Sequence, residues 1–293
     1  MPTTTAKRTT KKPPAAKKAA KKAPGGKSIK APGAKTPNEK RILNVKPSPR
    51  QEEDWRPDNA AAAGLLAAAA AIPASKDLRQ SWWAVGDQGA TGACVGFATA
   101  DSVLRWHFVQ AGWITTSDLL SPRYVWMAAK ETDPFTSPPT TFIETDGTSL
   151  KAALDIARKY GAVKDDVLPF TGNILYTGEA QTFYAIASQM KIASYFNLGR
   201  NITSWRTWLA NNGPILTRLD VDATWDAVDS TGWLDLYQPG TSRGGHAVAL
   251  VGYAPDRFIV RNSWNVSWGD KGFAYASIAY AQAAFTEAYG VTL

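Results

Sequence analysis

The segment QGATGACVGF, residues 88–97, is the most informative part of this 293-residue chain because it contains the only cysteine, Cys94. Cys94 follows a glycine-rich turn and stands at the predicted start of a helix. Far downstream come a histidine, His246, in GGHAV, and an asparagine, Asn262, in RNSW. A single cysteine with a distant histidine and asparagine has the composition of a thiol-nucleophile site. A cysteine that only fills a core needs no such partners.

The chemistry of a thiol nucleophile assigns a role to each of these residues. The thiolate attacks a carbonyl, and a helix N-terminus favours the thiolate of Cys94 through its free N–H groups and its dipole. His246, at the start of an apolar strand, can supply a neighbouring imidazolium, and Asn262 on the following strand can accept the N–H of its second ring nitrogen. Gln88 can place its side-chain amide beside the Cys94 backbone N–H and complete a two-donor oxyanion hole. We therefore predict Cys94, His246, Asn262 and Gln88 as catalytic residues.

Metal binding is an alternative use for a cysteine and a histidine. Structural zinc sites take four protein ligands and catalytic sites three, and Cys94 and His246 have no further ligands to join them. We expect neither a metal nor a cofactor. The only other histidine, His107, falls within the predicted Cys94 helix and is expected to be structural.

Charge divides the chain sharply near residue 50. Residues 1–50 contain 15 of the 33 Lys and Arg and one acid, Glu39, a charge of +14, whereas the remainder has 18 basic and 24 acidic residues, a charge of −6. Residues 1–40 are rich in Lys, Ala and Pro, and we expect them to be disordered. Such a tail either solubilises the protein or makes non-specific, salt-dependent contacts with nucleic acid or another polyanion.

Cysteine use and hydropathy indicate the compartment. One cysteine excludes an intramolecular disulfide, which fits a reducing compartment. The N-terminal residues lack the apolar core of a secretory signal, and the apolar stretch at residues 60–72 is shorter than the roughly 20 residues that cross a bilayer. We expect a cytoplasmic protein without membrane contact, and the sequence leaves its oligomeric state open.

Residues 41–75 are predicted as a linker or a short pro-like segment ahead of a globular part at residues 76–293. Residues 41–45 have the composition of a short strand, and Asp58 or Asn59 can cap an Ala-rich helix that ends before a proline. As a pro-like segment, residues 41–45 would lie in a cleft between two lobes and block substrate. As a linker they would not.

The residue pattern changes along the globular part from helices to strands. Helices are predicted at residues 94–110, 122–131 and 149–160, with a loop at 136–141. Short strands rich in Val, Ile, Leu and aromatic residues are predicted at 214–221, 246–253, 258–262 and 272–278. Helices first and strands second predict an α+β fold of two lobes, helical at about 94–190 and β-rich at about 191–293.

The three quoted blocks together resemble those of papain-like cysteine peptidases. Residues 88–97 are similar to that family's Q-G-x-C-G-S-C-W-A-F block. The His246 and Asn262 segments are similar to its H-A-V and N-S-W-G blocks, with the same gap of 16 residues between His and Asn. The resemblance covers roughly residues 76–293. It implies a papain-like two-lobe fold with the active site in the cleft, and a cysteine-type endopeptidase that cuts peptide bonds through an acyl-enzyme intermediate.

The resemblance also implies substrate-binding residues. Gly147 matches the glycine whose backbone pairs with the substrate, and Ala247 lines the pocket beside His246. Trp264 stands where its ring shields the His–Asn bond. Arg218 occupies, counted without gaps, a position where the family places a small or apolar residue of the S2 pocket.

A guanidinium in an apolar pocket needs a partner, because an unpaired buried charge is costly. Arg218 can bind an acidic substrate side chain at P2 through a bidentate pair. Alternatively it pairs internally with Asp220, Asp222 or Asp226, or faces solvent after a one-residue shift. The first alternative predicts a preference for Glu or Asp at P2.

Residues 88–97 differ from the family block at several positions. Thr91 stands where secreted members place a disulfide cysteine, Ala93 replaces a serine and Val95 replaces a tryptophan. The missing disulfide puts extracellular durability in doubt and leaves the chemistry intact. The segment before residue 76 lacks the long helical prodomain of lysosomal relatives, so any self-inhibition must be short-range.

Three functions are compatible with these residues. The leading one is a peptidase that hydrolyses peptide or protein substrates, and the second is a transpeptidase or amidase with the same acyl-enzyme chemistry. The third is a non-enzymatic, polyanion-binding protein that acts through residues 1–40. The intact set of Gln88, Cys94, His246 and Asn262 argues against the third function, whereas hydrolysis and acyl transfer share their first half-reaction.

Overall fold

The computed structural model describes residues 41–67, 70–135, 144–171 and 178–293. All of them fall within one contact unit, Glu39–Leu293. The predicted basic tail at residues 1–40 and the predicted loop at 136–141 lie outside the described residues. No helix within the described ranges is long and apolar enough to cross a membrane.

Most of the helical residues lie before residue 190. The α-helical elements are Pro57–Ala62 (α1), residues 94–110 (α2), Pro122–Thr132 (α3), Leu150–Lys159 (α4), Ala180–Ala187 (α5), Ile202–Asn211 (α6), Thr224–Ala227 (α7) and Ile278–Ala284 (α8). Helix α2 consists of an α-helical turn Cys94–Gly96, a π-helical stretch Phe97–Leu104 and an α-helical end Arg105–Gln110. Short 3₁₀ turns lie at Gln51–Glu53 and Pro239–Thr241.

Helix α2 carries Cys94 in its first turn and confirms the prediction of a helix at residues 94–110. Every residue of Phe97–Leu104 is buried, because small side chains such as Ala98 and Ala100 let the helix pack closely on all sides. The π-helical geometry of this stretch has no signal in the residue pattern. It belongs to the helix that carries Cys94, and π-helical turns are frequent at functional sites.

Helices α3 and α4 confirm the second and third predicted helices, and both are capped by serine. Ser121 accepts a hydrogen bond from the Tyr124 N–H at 3.0 Å, and Ser149 accepts one from the Ala152 N–H at 3.3 Å. These caps satisfy N–H groups that have no partner inside the helix.

Helix α1 is shorter than predicted. It begins at Pro57 without a side-chain cap, so the predicted cap at Asp58 or Asn59 is wrong. Proline suits the first helical position because its missing N–H would have no partner there. The helix ends at Ala62, since Gly64 turns the chain with a φ of +73° and the neighbouring alanines are exposed and gain little from burial.

One sheet holds the strands in the order β2-β8-β3-β5-β6-β7-β4, with β1 beside β5. The strands are Lys76–Asp77 (β1), Ser194–Asn197 (β2), Ile215–Val221 (β3), Trp233–Leu234 (β4), Gly244–Ala254 (β5), Arg257–Arg261 (β6), Phe273–Ser277 (β7) and Phe285–Thr292 (β8). Neighbours run antiparallel except β4 and β7. Strands β3, β5, β6 and β7 confirm the four predicted strands.

Helix α6 and strand β8 were not predicted. Helix α6 lies in a region expected to form strands, although Trp205 and Trp208, three residues apart, are buried on one face of it. Strand β8 is central and almost wholly buried. Its Glu287 is buried too, and a charged residue hides the hydrophobic run by which a buried strand is recognised.

A buried ion pair joins the sheet to helix α2. Arg261, the last residue of β6, lies 2.8 Å from one oxygen of Asp101 on α2, and Arg105 lies 3.5 Å from the other oxygen. Asn262 directly follows Arg261 along the chain. The pair therefore holds the end of β6 in a defined position against the helix that carries Cys94.

Candidate active site

His246 and Asn262 form one side of the site. Nε2 of His246 lies 2.8 Å from Oδ1 of Asn262. The same oxygen accepts the Ser263 N–H at 2.8 Å, so the amide oxygen faces the ring and Nε2 carries the proton. Nδ1 of His246 has no hydrogen-bond partner within the described part of the chain. It is therefore the ring atom available for proton exchange with a nucleophile.

Two tryptophans contact the His246 ring, and a third packs against them. The ring centroid of Trp264 lies 5.0 Å from that of His246, Trp225 packs perpendicular to His246 at 5.6 Å, and Trp268 stacks on Trp225 at 4.9 Å. The structure thus places Trp264 beside the His–Asn bond. Trp225 and Trp268 were not singled out from the sequence, where the four-residue spacing from Trp264 to Trp268 is the only signal.

Cys94 lies in the first turn of α2 and is fully buried, as is His246. Burial raises the pKa of the Cys94 thiol to about 11, although the backbone N–H groups of Ala247 and Val95 favour the thiolate. Burial also lowers the pKa of His246 to about 4, against the effect of the hydrogen bond to Asn262. Burial therefore favours the neutral form of both the thiol and the imidazole.

Gln88, the predicted oxyanion donor, is held on both sides of its amide. Nε2 donates to the main-chain oxygen of Thr91 at 3.0 Å, and Oε1 accepts the Ser263 hydroxyl at 2.7 Å. One N–H of the amide remains for a ligand, as does the backbone N–H of Cys94 in the first helical turn. Ser263 thereby connects Gln88 to Asn262, a link that the sequence analysis missed.

Residues 41–46, called the strap below, run beside these residues. The Val45 N–H donates to the carbonyl oxygen of Gly245 at 3.1 Å, and the Lys46 N–H donates to that of Thr148 at 3.0 Å. The side chain of Val45 is buried. No strand forms within residues 41–46, so the predicted strand at 41–45 is wrong: the strap bonds through isolated backbone groups and not through a regular ladder.

The strap packs on glycines at which no side chain fits. A Cβ at Gly147 would lie 2.5 Å from the carbonyl oxygen of Asn44, and a Cβ at Gly245 would lie 2.5 Å from that of Val45. Gly147 is the residue expected to pair with the substrate backbone, and Gly245 immediately precedes His246. The strap backbone thus occupies the surface on which a substrate backbone is expected.

Arg41 clamps the start of the strap. Its Nη1 donates to Asp87 Oδ1 at 2.7 Å and to the carbonyl oxygen of Gly89 at 3.0 Å, and its Nη2 donates to that of Trp264 at 3.3 Å. The guanidinium carbon lies 5.9 Å from the Trp264 ring centroid. Its positive charge also contributes to the lowered pKa of His246.

Arg218, on strand β3, is paired internally. Its Nη2 lies 3.0 Å from Asp220 Oδ1, its Nη1 donates to Thr286 Oγ1 at 2.7 Å, and its Nε donates to the carbonyl oxygen of Val45 at 3.3 Å. The internal pair with Asp220, one of the alternatives left by the sequence, is formed. The guanidinium is therefore not the unpaired charge on which an acidic P2 preference was based.

Glu287 lies opposite Arg218 in the register of strands β3 and β8 and was missed by the sequence analysis. It is buried, and Oε1 accepts the Ser48 N–H at 2.9 Å. Oε2 has no hydrogen-bond partner among the described residues. Burial raises the pKa of this carboxyl.

No group of His, Cys, Asp and Glu within the described ranges could hold a metal ion. His107 lies in α2, is buried, and has a pKa lowered to about 4 by that burial.

The chain matches known cysteine proteases in sequence. A family model described as papain family cysteine protease matches residues 72–289. Cathepsin B-like CP3 of Giardia intestinalis is 27% identical over 230 residues, which are 74% of this chain and 73% of that protein. Cathepsin B-like cysteine proteinase 5 of Caenorhabditis elegans is 34% identical over 82 residues, which are 27% of this chain and span 23% of that relative's length.

Solved structures share the fold at low sequence identity. Xylellain, a cysteine protease from Xylella fastidiosa, has a TM-score of 0.70 and 19% identity, over 86% of this chain and 96% of that chain. Digestive procathepsin L2 of the Tenebrio molitor larval midgut has a TM-score of 0.62 and 19% identity, over 86% and 78% of the two chains. The predicted α+β, papain-like fold is confirmed.

Proposed function

The chain belongs to the papain family of cysteine proteases, and on that premise we propose that it hydrolyses peptide bonds through Cys94. One observation carries the proposal: a buried hydrogen-bonded chain runs from His246 through Asn262 and Ser263 to Gln88. It connects the imidazole to the amide donor and so fixes both halves of a thiol site relative to each other.

The acylation step uses each group once. Nδ1 of His246 takes the proton of the Cys94 thiol, and the thiolate sulfur attacks the substrate carbonyl carbon. Gln88 and the Cys94 backbone N–H donate to the oxygen that becomes negative. The imidazolium then gives its proton to the leaving amine, and the acyl group remains on sulfur as a thioester.

Deacylation returns the enzyme to its starting state. His246 takes a proton from water, the hydroxide oxygen attacks the thioester carbon, and the departing sulfur takes that proton back from the imidazolium. A transpeptidase or amidase would share the acylation step and differ in the acceptor or the amide. A mass spectrum of the products, with a nucleophilic peptide added at millimolar concentration, separates hydrolysis from acyl transfer.

The path of the strap supports cleavage within chains. The strap enters beside Trp264 and Gly89 and leaves beside Thr148, and the chain continues beyond that end. A groove that accepts a passing chain suits an endopeptidase. Arg218 donates to the Val45 carbonyl, so we propose that it binds a main-chain carbonyl of the substrate and not an acidic side chain.

We further propose that the form with the strap in place is latent. Cys94 and His246 are fully buried, and this burial moves both pKa values towards the neutral forms, whereas attack needs the thiolate. The strap covers the glycine surface around them. Lifting the strap readmits water and substrate and removes the Arg41 charge near His246, which favours the thiolate–imidazolium pair.

The residues that follow, 48–56, are called the anchor below and include the Asp54 carboxylate, whose side chain is only 5% exposed. The Ser48 N–H donates to Glu287 at 2.9 Å, and the Asp54 carboxylate binds Tyr289 and Lys151. Asn197 donates to two carbonyl oxygens of the anchor, that of Gln51 through Nδ2 at 3.2 Å and that of Trp55 through its main-chain N–H at 2.9 Å. The Arg56 side chain donates to the side-chain oxygen of Asn197. These contacts reach strands β2 and β8 and helix α4. We therefore place the functional boundary at Pro47, inside the predicted segment at 41–75.

Three chains test the peptidase and the latency together: the full chain, a chain from Pro47 and a chain from Ser75. On a peptidyl coumarin amide, the chain from Pro47 is expected to be faster than the full chain and to unfold at a similar temperature. The chain from Ser75 lacks the anchor and is expected to unfold at a lower temperature. Folded protein without turnover in all three would contradict a peptidase, and equal rates in the first two would contradict latency.

The tail at residues 1–40 and the compartment stay proposals from the sequence. We propose that the tail binds polyanions through its lysines, with affinity that falls as salt rises. Heparin chromatography of the full chain against a chain from Arg41 tests this binding. We also propose a cytoplasmic location, which fractionation of the source cells tests.

A further inference from the structure

Thr91 lies in the loop between Gln88 and Cys94. It stands where secreted relatives place a disulfide cysteine, and the chain has no second cysteine with which to form that bond. Something else must hold the loop, because a misplaced oxyanion donor loses most of its effect.

The side chain and the backbone of Thr91 bind Gln88 reciprocally. The Thr91 hydroxyl donates to the main-chain oxygen of Gln88 at 2.7 Å, and Gln88 Nε2 donates to the main-chain oxygen of Thr91 at 3.0 Å. The same hydroxyl oxygen accepts the Ala93 N–H at 3.4 Å. The hydroxyl thus fixes the turn between Gln88 and Cys94. The main-chain carbonyl of Thr91 in this turn orients the Gln88 amide.

A second attachment holds the other side of the loop. The Gly92 N–H donates to the carbonyl oxygen of Glu144 at 2.8 Å, and a Cβ at Gly92 would lie 2.6 Å from the carbonyl oxygen of Asp146. The loop is therefore tied to residues 144–146 by backbone contact alone, just before the glycine surface at Gly147.

We propose that Thr91 is a positioning residue for the oxyanion hole, acting through Gln88. Its hydroxyl replaces a covalent brace with hydrogen bonds, so that Gln88 keeps one N–H directed to the reacting carbonyl oxygen. The proposal rests on the proposed peptidase function. It goes beyond that function by assigning part of the rate to a side chain that touches neither substrate nor thiol.

The test compares Thr91→Val, which keeps the shape and removes the hydroxyl, with Thr91→Ser, which keeps the hydroxyl. In the full chain, Thr91→Val is expected to lower kcat by about tenfold to a hundredfold with little change in KM. Thr91→Ser is expected to retain kcat within about threefold. Alkylation of Cys94 by iodoacetamide forms no oxyanion, so its rate is expected to stay the same in both variants.

A double-mutant cycle with Gln88→Ala identifies the route of the effect. If Thr91 acts through Gln88, Thr91→Val adds little to Gln88→Ala, since the donor that it orients is already gone. Full additivity, an equal fall in alkylation, or an unchanged kcat in Thr91→Val would each overturn the proposal. Absence of turnover in the parent chain and in a strap-displaced Val45→Asp background would instead overturn the peptidase function, which keeps the two failures distinct.

Discussion

The strap at 41–46 and the anchor at 48–56 are neighbours in sequence but are bound by different physics. The strap is held by backbone hydrogen bonds, by the Arg218 guanidinium on the Val45 carbonyl, by the buried Val45 side chain and by the Arg41–Asp87 pair, whose side chains are 22% and 39% exposed. The anchor is held by the Lys151–Asp54 pair, whose side chains are 17% and 5% exposed. An exposed pair contributes about 0–1 kcal/mol, whereas breaking a buried pair costs about 3–5 kcal/mol. The strap can therefore lift while the anchor stays folded.

This difference indicates how a short segment can control a protease site. A blocking segment must be displaced without unfolding the enzyme, and the change from weak to strong contacts at Pro47 provides that separation. The following predictions test each side of the comparison, from the largest expected effect to the smallest.

The largest effect is expected from the groups under the strap. In a chain from Pro47, Cys94→Ala and His246→Ala should each lower turnover by a factor on the order of 10⁴ or more, because nucleophile and base act as a unit. Asn262→Ala should cost less, since Asn262 orients the ring and transfers no proton. Steady-state kinetics with circular dichroism as the fold control measures this. Substantial turnover in Cys94→Ala would mean that the strap covers no catalytic thiol.

The next effect concerns pH. With the strap in place the Cys94 pKa is raised to about 11, so the thiol stays protonated below that pH and thiolate increases about tenfold per pH unit from 7 to 10. Alkylation of the full chain by iodoacetamide should rise by about a thousandfold over that range. The chain from Pro47 should show a much flatter profile in the same range, and identical profiles would contradict the effect of burial.

We expect loss of the buried ion pair of the anchor to lower the stability of the protein. Lys151→Met leaves the Asp54 carboxylate buried without its cation and is expected to lower the free energy of unfolding by about 3 kcal/mol. Arg158→Met, on the same helix, removes an exposed pair with Asp155 and should cost less than about 1 kcal/mol. Urea denaturation of both variants measures the difference. Equal losses would show that the anchor is no better bound than a surface pair.

The smallest effect is expected from substitution of Arg41, which binds the start of the strap. Arg41→Ala should raise the turnover of the full chain about twofold to tenfold, because it removes an exposed ion pair and a contact with the Trp264 ring. Arg50→Ala is the matched control, since Arg50 forms an exposed pair with Glu53 in the anchor, and should leave turnover unchanged. Added salt should reduce the difference between Arg41→Ala and the parent. A rise in turnover of the same size in both variants would show that the loss of any positive charge causes it, and would contradict a specific role of Arg41 in holding the strap.

The candidate site residues and the core of the fold could be picked out from the sequence because their signals are local. A cysteine at a helix start, histidine at a strand start and asparagine after the next strand are visible in short segments, and the strands around them are long apolar runs. The serine caps at Ser121 and Ser149 are likewise local features, since each serine directly precedes the helix that it caps.

The rest depends on contacts between distant residues. Glu287 and its strand β8 were missed because a carboxylate in the centre of a sheet is acceptable only with its partner, the Ser48 N–H, more than 200 residues earlier. The sequence left the partner of Arg218 open between an acidic substrate side chain and an internal acid, because its pair with Asp220 depends on a side-chain conformation that no spacing fixes. The strap could be a linker or an inhibitor from the sequence alone, since its burial depends on glycines at 147 and 245.

The central claim is that the strap keeps an otherwise complete thiol site inactive, and the alkylation rate of Cys94 at pH 7 tests it most directly. The rate is measured with iodoacetamide for the full chain, for full-length Val45→Asp, which places an unpaired charge where Val45 is buried, and for the chain from Pro47. A thiol with a pKa near 11 holds on the order of a hundredfold less thiolate than a free cysteine. We therefore predict that the second and third proteins react at least a hundredfold faster than the first. Equal rates in all three would contradict the account.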